Sequence, residues 1–108
     1  MSDDVDLTVV TMQFDARADT DTNGQLLAAL SKYVVLARME AGCRNIDLVS
    51  SVTHAGRHLV IEKWESPAHQ RDHFDSPVMI DMATACTGLL AAPPTIDLWE
   101  PTSAHDLR

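Results

Sequence analysis

Glu62, Trp64, His69 and His73 gather acid–base and aromatic chemistry into a span of twelve residues. Imidazole titrates near neutral pH, so His73 is the first candidate for a group that takes or gives a proton. The bland alternative is a helix histidine satisfied by a carboxylate or a backbone partner. Glu62 and Trp64 stand at i and i+2, on one face of an extended segment. A glutamate buried there needs a hydrogen bond or an ion-pair partner, and His73 is the candidate; an exposed one needs neither. The Trp64 indole offers a flat wall for an aromatic ring or ordinary core packing. Tyr33 can donate a hydrogen bond into a pocket or sit at a helix boundary. Met12, Met79 and Met82 suit an adaptable apolar cavity as well as core filling. His69 and His73 have the i, i+4 spacing of a two-histidine metal site, but no third ligand accompanies them, and no metal is expected. Signatures of other chemistry are missing: there is no G-x-G-x-x-G, no P-loop, no C-x-x-C and no setting for a Ser-His-Asp triad. Cys43 and Cys86 read as reduced structural thiols.

These residues must be positioned by a small set of elements. Residues 7–14 are β-branched and alternating, which predicts a strand. A helix is expected over 23–40, with Asp21 or Thr22 as N-cap, a buried stripe of Leu26, Leu27, Leu30, Val34 and Ala37, and Gly42 as its terminator. Residues 44–53, with Ile46, Leu48, Ser50 and Val52 on one face, and His58–Trp64 predict two strands joined by a turn over His54–Arg57. Ser66-Pro67 and Ser76-Pro77 each open a short helix, with Ser as N-cap and Pro at the first helical position. Pro93-Pro94 ends the second, and 95–100 forms the last strand. The order is β-α-β-β-α-β with the second α split, a ferredoxin-like α+β arrangement. His73 and Tyr33 fall on helices, and Glu62 and Trp64 on a strand.

The strands carry apolar side chains on both parities: Val10, Met12 and Phe14 against Leu7 and Val9, Val60 and Trp64 against Leu59 and Ile61, Ile96 and Leu98 against Trp99. Helices can cover only one sheet face, so a second copy of the chain is expected on the other, giving a homodimer.

At 108 residues the chain is expected to be one domain over 1–108, with its core at about 7–100, an acidic arm at 1–6 and a loose tail at 101–108. The net charge of −8 and pI near 4.8 argue against nucleic acid and against an anionic membrane surface. Much of that charge is local, since residues 1–21 hold six aspartates against Arg17 alone. No apolar run reaches the roughly 18 residues of a transmembrane helix. An acidic N-terminus without a basic start points to the cytoplasm.

The run Val60-Ile61-Glu62-Lys63-Trp64-Glu65-Ser66-Pro67-Ala68-His69, with His73 and Ser76-Pro77 after it, resembles the antibiotic biosynthesis monooxygenase domain. Glu40-Ala41-Gly42-Cys43 resembles the E-x-G-C that ends the first helix in many members. Within the family the bacterial quinol monooxygenase type is the most similar, and the likeness spans about residues 7–100. The resemblance implies a homodimeric α+β barrel with a pocket between sheet and helices in each subunit. It implies oxygenation of a small quinol or phenol by O2 with no cofactor, neither metal nor flavin. On that reading His73 is the base, Glu62 orients it, and Trp64, Tyr33, Met12 and Met79 meet the aromatic substrate. The haem-degrading branch has an axial His where this chain has Ala83, and the polyketide-tailoring branch an Asn where Val60 stands. An isomerase or lyase of a small carbonyl compound on the same scaffold, or a non-catalytic binding or stress-response module, are the alternatives.

Overall fold

The computed structural model describes residues 7–19 and 21–102; the expected arm at 1–6 and most of the tail lie outside them. Seven elements follow in order: β1 (Thr8–Asp15), α1 (Thr22–Ala37), β2 (Cys43–Ser50), β3 (Arg57–Trp64), α2 (Pro67–Phe74), α3 (Pro77–Ala85) and β4 (Thr95–Trp99). The four strands form one antiparallel sheet in the order β2-β3-β1-β4. This is the expected ferredoxin-like α+β fold, with its second helix in two pieces.

Register sorts the side chains into two faces. Val10, Met12 and Phe14 of β1 stand beside Glu62, Val60 and His58 of β3, and all six are buried. Leu26, Leu30, Tyr33, Val34 and Ala37 of α1 pack over that face, joined by Met79 and Met82 of α3. The α1 stripe thus includes Tyr33, which a purely aliphatic count omits, and leaves Leu27 half-buried. On the opposite face Val9, Leu59 and Ile61 remain half-buried, while Val49 and Trp99 are 45% and 54% exposed. Every residue of β4 is exposed, Ile96 and Leu98 of its helix-side face included.

Four local expectations are corrected, the first being the end of α3, which falls at Ala85 with Cys86 as C-cap and not at Pro93-Pro94. Helix α1 stops at Ala37 with Arg38 as its C-cap, three residues short, because the backbone tightens into i→i−3 turns, Met39 N–H to the Leu36 carbonyl and Glu40 N–H to the Ala37 carbonyl. Gly42 does not terminate the helix. It has φ +82°, and a Cβ there would come within 2.2 Å of the His69 ring. Glycine is required for that close approach of α2. Strand β2 ends at Ser50, because the Ser51 hydroxyl accepts from the Thr53 and His54 amides and turns the chain out of the ladder. Val52 therefore sits fully exposed in the turn instead of on the strand face.

Asp21 is the N-cap of α1 but offers no side-chain bond, and Thr22 is already helical. At α2 and α3 the Ser-Pro device operates as expected. The Ser66 hydroxyl accepts from the His69 amide and the Ser76 hydroxyl from the Met79 amide.

Candidate active site

Four segments converge beneath the helices on one side of the sheet. Alternation on β3 sends Glu62 and Trp64 inward, where they are 1% and 0% exposed. The 3.6-residue period of α1 brings Tyr33 down on them. The last turn of α2 supplies His73, 3% exposed, and the chain beyond α1 supplies Glu40.

A continuous hydrogen-bonded group results. The Trp64 indole N–H donates to Glu62 Oε1 at 2.9 Å. The Tyr33 hydroxyl bonds Glu62 Oε2 and stands 2.7 Å from His73 Nε2. His73 Nδ1 lies 3.0 Å from Glu40 Oε2, which also accepts from the Ser76 hydroxyl at 3.4 Å. The His73 ring stacks on Trp64 with centroids 4.4 Å apart. Among the described residues no buried side-chain nitrogen or oxygen lacks a partner, which is what so deeply buried a polar cluster requires. Burial, reinforced by the Glu62 charge, pushes the Tyr33 phenol far above its ordinary range, so Tyr33 keeps its proton. Cys43, at the start of β2, is pushed up to about 11 by burial and then by Glu62 and Glu40.

The sequence-derived candidates therefore fall into two places. His73, Glu62, Tyr33 and Trp64 come together in this cluster. Glu62 meets His73 through Tyr33, its nearer carboxylate oxygen standing 3.7 Å from Nε2, and the direct carboxylate partner is Glu40. Trp64 has one face covered by His73. Met12 and Met79 lie elsewhere, in the wall of an apolar cavity of about 630 Å³ that also presents Phe14, Met82, Cys86 and Ile96. A ligand cavity of that size accommodates a multi-ring molecule. Phe74 and Ile80, 41% and 58% exposed, also line it. Glu62 pairs with Val10 across the ladder, and Met12 is two residues further along β1. Such diagonal neighbours stand about 7–8 Å apart, so Glu62 lies to the side of Met12 on the same sheet face, and no residue of the polar cluster lines the cavity itself. A smaller cleft of about 60 Å³ between α1 and α3 reaches Tyr33, with Met82 common to both walls.

Glu40 and Cys86 were not singled out as site residues from sequence. Glu40 stood in the E-x-G-C motif as a helix-end marker, and only the fold of the following turn carries it to His73. Cys86 read as structural because no second ligating group accompanies it. His69 does not join His73: its Nδ1 is 2.8 Å from the Ser66 hydroxyl at the start of α2. Among the described residues no three His, Cys, Asp or Glu side chains are grouped to hold a metal ion.

A family model described as antibiotic biosynthesis monooxygenase matches residues 9–85. Among solved structures, Rv0793 from Mycobacterium tuberculosis is similar at 25% identity and a TM-score of 0.83, over 92% of this chain and 98% of that one. SnoaB, a cofactor-independent oxygenase from Streptomyces nogalater, is similar at 13% identity and a TM-score of 0.80, over 93% and 97%. That second likeness is one of fold. No curated protein matches the sequence.

Proposed function

The chain belongs to the antibiotic biosynthesis monooxygenase family, and from that membership and the site we infer that it oxygenates a small quinol or phenolic aromatic with O2 and without a cofactor. The observation that carries the reading is a buried, hydrogen-bonded acid–base cluster on the same sheet face as a 630 Å³ apolar cavity, the cleft at Tyr33 sharing Met82 with the cavity wall. Triplet O2 reacts slowly with closed-shell molecules, so the substrate must supply the first electron. A deprotonated hydroquinone gives it up far more readily than a neutral one. The protein's task is to accept the hydroxyl proton and to hold the reacting pair away from water.

In this reading Met12 and Met79 form the wall against the aromatic rings. His73 and Glu62, linked by Tyr33, handle the proton. Trp64 holds the plane of His73 and anchors Glu62, in place of stacking on substrate. The balance for a quinol is simple: one oxygen atom enters the ring, the quinol leaves as a hydroxyquinone, and the second oxygen atom leaves as water. All four electrons come from the substrate, so no reductant is required. SnoaB, named a cofactor-independent oxygenase, shares the fold and lends support to the same chemistry.

We place the reaction in a homodimer packed through the outer sheet face, whose Leu59, Ile61, Val9 and Trp99 give it the apolar character of an interface. Among the described residues no helix is long and apolar enough to cross a membrane. Free thiols at Cys43 and Cys86 fit the reducing cytoplasm.

Oxygen consumption with chemically reduced naphthoquinones tests the reading. The wild-type chain is expected to consume O2 well above the autoxidation rate, and His73→Ala to fall back to it. Consumption no faster than autoxidation with every quinol tried would overturn it in favour of an isomerase or binding module.

A further inference from the structure

The hydrogens of the buried cluster can be counted. Trp64 can only donate, so Glu62 Oε1 accepts. Tyr33 has one proton and two partners, Glu62 Oε2 and His73 Nε2, so it donates to one and accepts from the other. If it donates to His73, then Glu62 carries a proton, and His73 is neutral with Nδ1–H pointing to Glu40. If it donates to Glu62, then His73 Nε2 carries a proton to Tyr33. Nδ1 then either keeps its own proton, as imidazolium between two carboxylates, or accepts one from Glu40. All three arrangements satisfy every contact and share one net charge. They differ only in whether a single proton rests on Glu62, on His73 or on Glu40.

The two ends of this series differ in surroundings. Glu62 is sealed at 2% side-chain exposure beside Val10, which pairs with it across the ladder. Glu40, 23% exposed, is the member open to solvent. We propose that Glu62, Tyr33, His73 and Glu40 form a proton wire between the sealed Glu62 carboxylate and bulk water, with Glu40 as its outlet. The assignment rests on the oxygenase reading for the origin of the proton, and on the hydrogen count alone for the wire. Tyr33 passes the proton by gaining one as it gives one up, so the phenol never has to ionise. A proton given to Glu62 leaves its electron pair on the donor oxygen and ends on water at Glu40. Trp64 from β3, Ser76 from the start of α3 and Cys43 from β2 complete the surroundings. Ser76 can only hydrogen-bond, and the Cys43 thiol holds its proton, so neither drains the wire.

Two measurements on the full chain test this. The imidazole nitrogens of His73 are followed by 15N NMR in the wild type, Glu40→Gln and Glu62→Gln. Each amide keeps the shape of its carboxylate but cannot hold the travelling proton. Both His73 nitrogens are expected to move in each variant while the backbone spectrum stays native. Identical His73 shifts in all three proteins would overturn the wire, whatever the catalytic outcome. In the second measurement Glu40→Ala is assayed for quinol-dependent O2 uptake. A fall in kcat of about tenfold or more is expected with KM little changed. Small carboxylic acids should restore it, more strongly as their basicity rises. A fall that no added acid relieves marks Glu40 as structural and overturns its role as outlet. If the wild type consumes no O2 with any quinol, the oxygenase reading fails and the nitrogen shifts still decide the wire.

Discussion

At the scale of single residues, the buried cluster binds stability to pH. The Cys43 thiol, ordinarily near 9, is held up to about 11 by burial and the two glutamates, and the Tyr33 phenol is raised by burial and Glu62. Above pH 9 the unfolded chain loses these protons first while the folded chain retains them. The folded state therefore binds more protons, and stability falls as pH rises. For Cys43 the window runs from about pH 9 to about pH 11. Urea midpoints measured at pH 8 and at pH 10.5 should decline, and Cys43→Ala should flatten part of the slope. Equal slopes in wild type and variant would remove Cys43 from the account. How far such behaviour is legible in sequence differs by residue. Glu62 and Trp64 could be paired because strand alternation places both on one face, while His73 and Tyr33 could be nominated by side-chain chemistry alone. Glu40 could not, because its contact with His73 depends on a turn whose path is set by tertiary contacts.

At the scale of elements, the placement of α2 controls the site, since its last turn carries His73. Its start is fixed by the Ser66 cap, and its flank by the approach of His69 to Gly42. Ser66→Ala is expected to cost about 1 kcal/mol in unfolding free energy, the ordinary loss of a cap. Gly42→Ala is expected to cost more. The left-handed backbone alone carries about 1–2 kcal/mol for a residue with a Cβ, and the methyl group also overlaps the His69 ring. Relief requires α2 to shift, and His73 shifts with it. Thermal or denaturant unfolding of the two variants checks the order, and a Gly42→Ala chain as stable as Ser66→Ala would refute it. The Ser-Pro caps were readable because their chemistry is local. The ends of α1 and β2 were not, because each is set by a local turn that the period does not announce: i→i−3 backbone bonds after Ala37, and the Ser51 hydroxyl at the strand.

At the scale of the whole molecule, the outer sheet face is the one through which the proposed dimer would pack. Ile61 lies at its centre, on β3 between Asp47 of β2 and Thr11 of β1. Sedimentation velocity is expected to give twice the 11.8 kDa chain mass for the wild type. Ile61→Asp, which adds a charge to the middle of that face, should sediment at or near the single-chain mass. A wild type that sediments as one chain at micromolar concentration would rule out the dimer. The apolar character of this face was visible as double parity in the strands, but the exposure of both faces of β4 was not. Strand periodicity tells which residues share a side, not whether a helix reaches far enough to cover it.

The stacking of His73 on Trp64 has an optical consequence. The chain has two tryptophans, and Trp99 is half-exposed on the outer face. With Trp99→Phe, all indole emission would come from a ring 4.4 Å from the imidazole. A protonated imidazole quenches excited indole far more effectively than a neutral one. The brightness of this one fluorophore would then follow the residence of the proton on His73, in real time and without a label, each time the protein turned over.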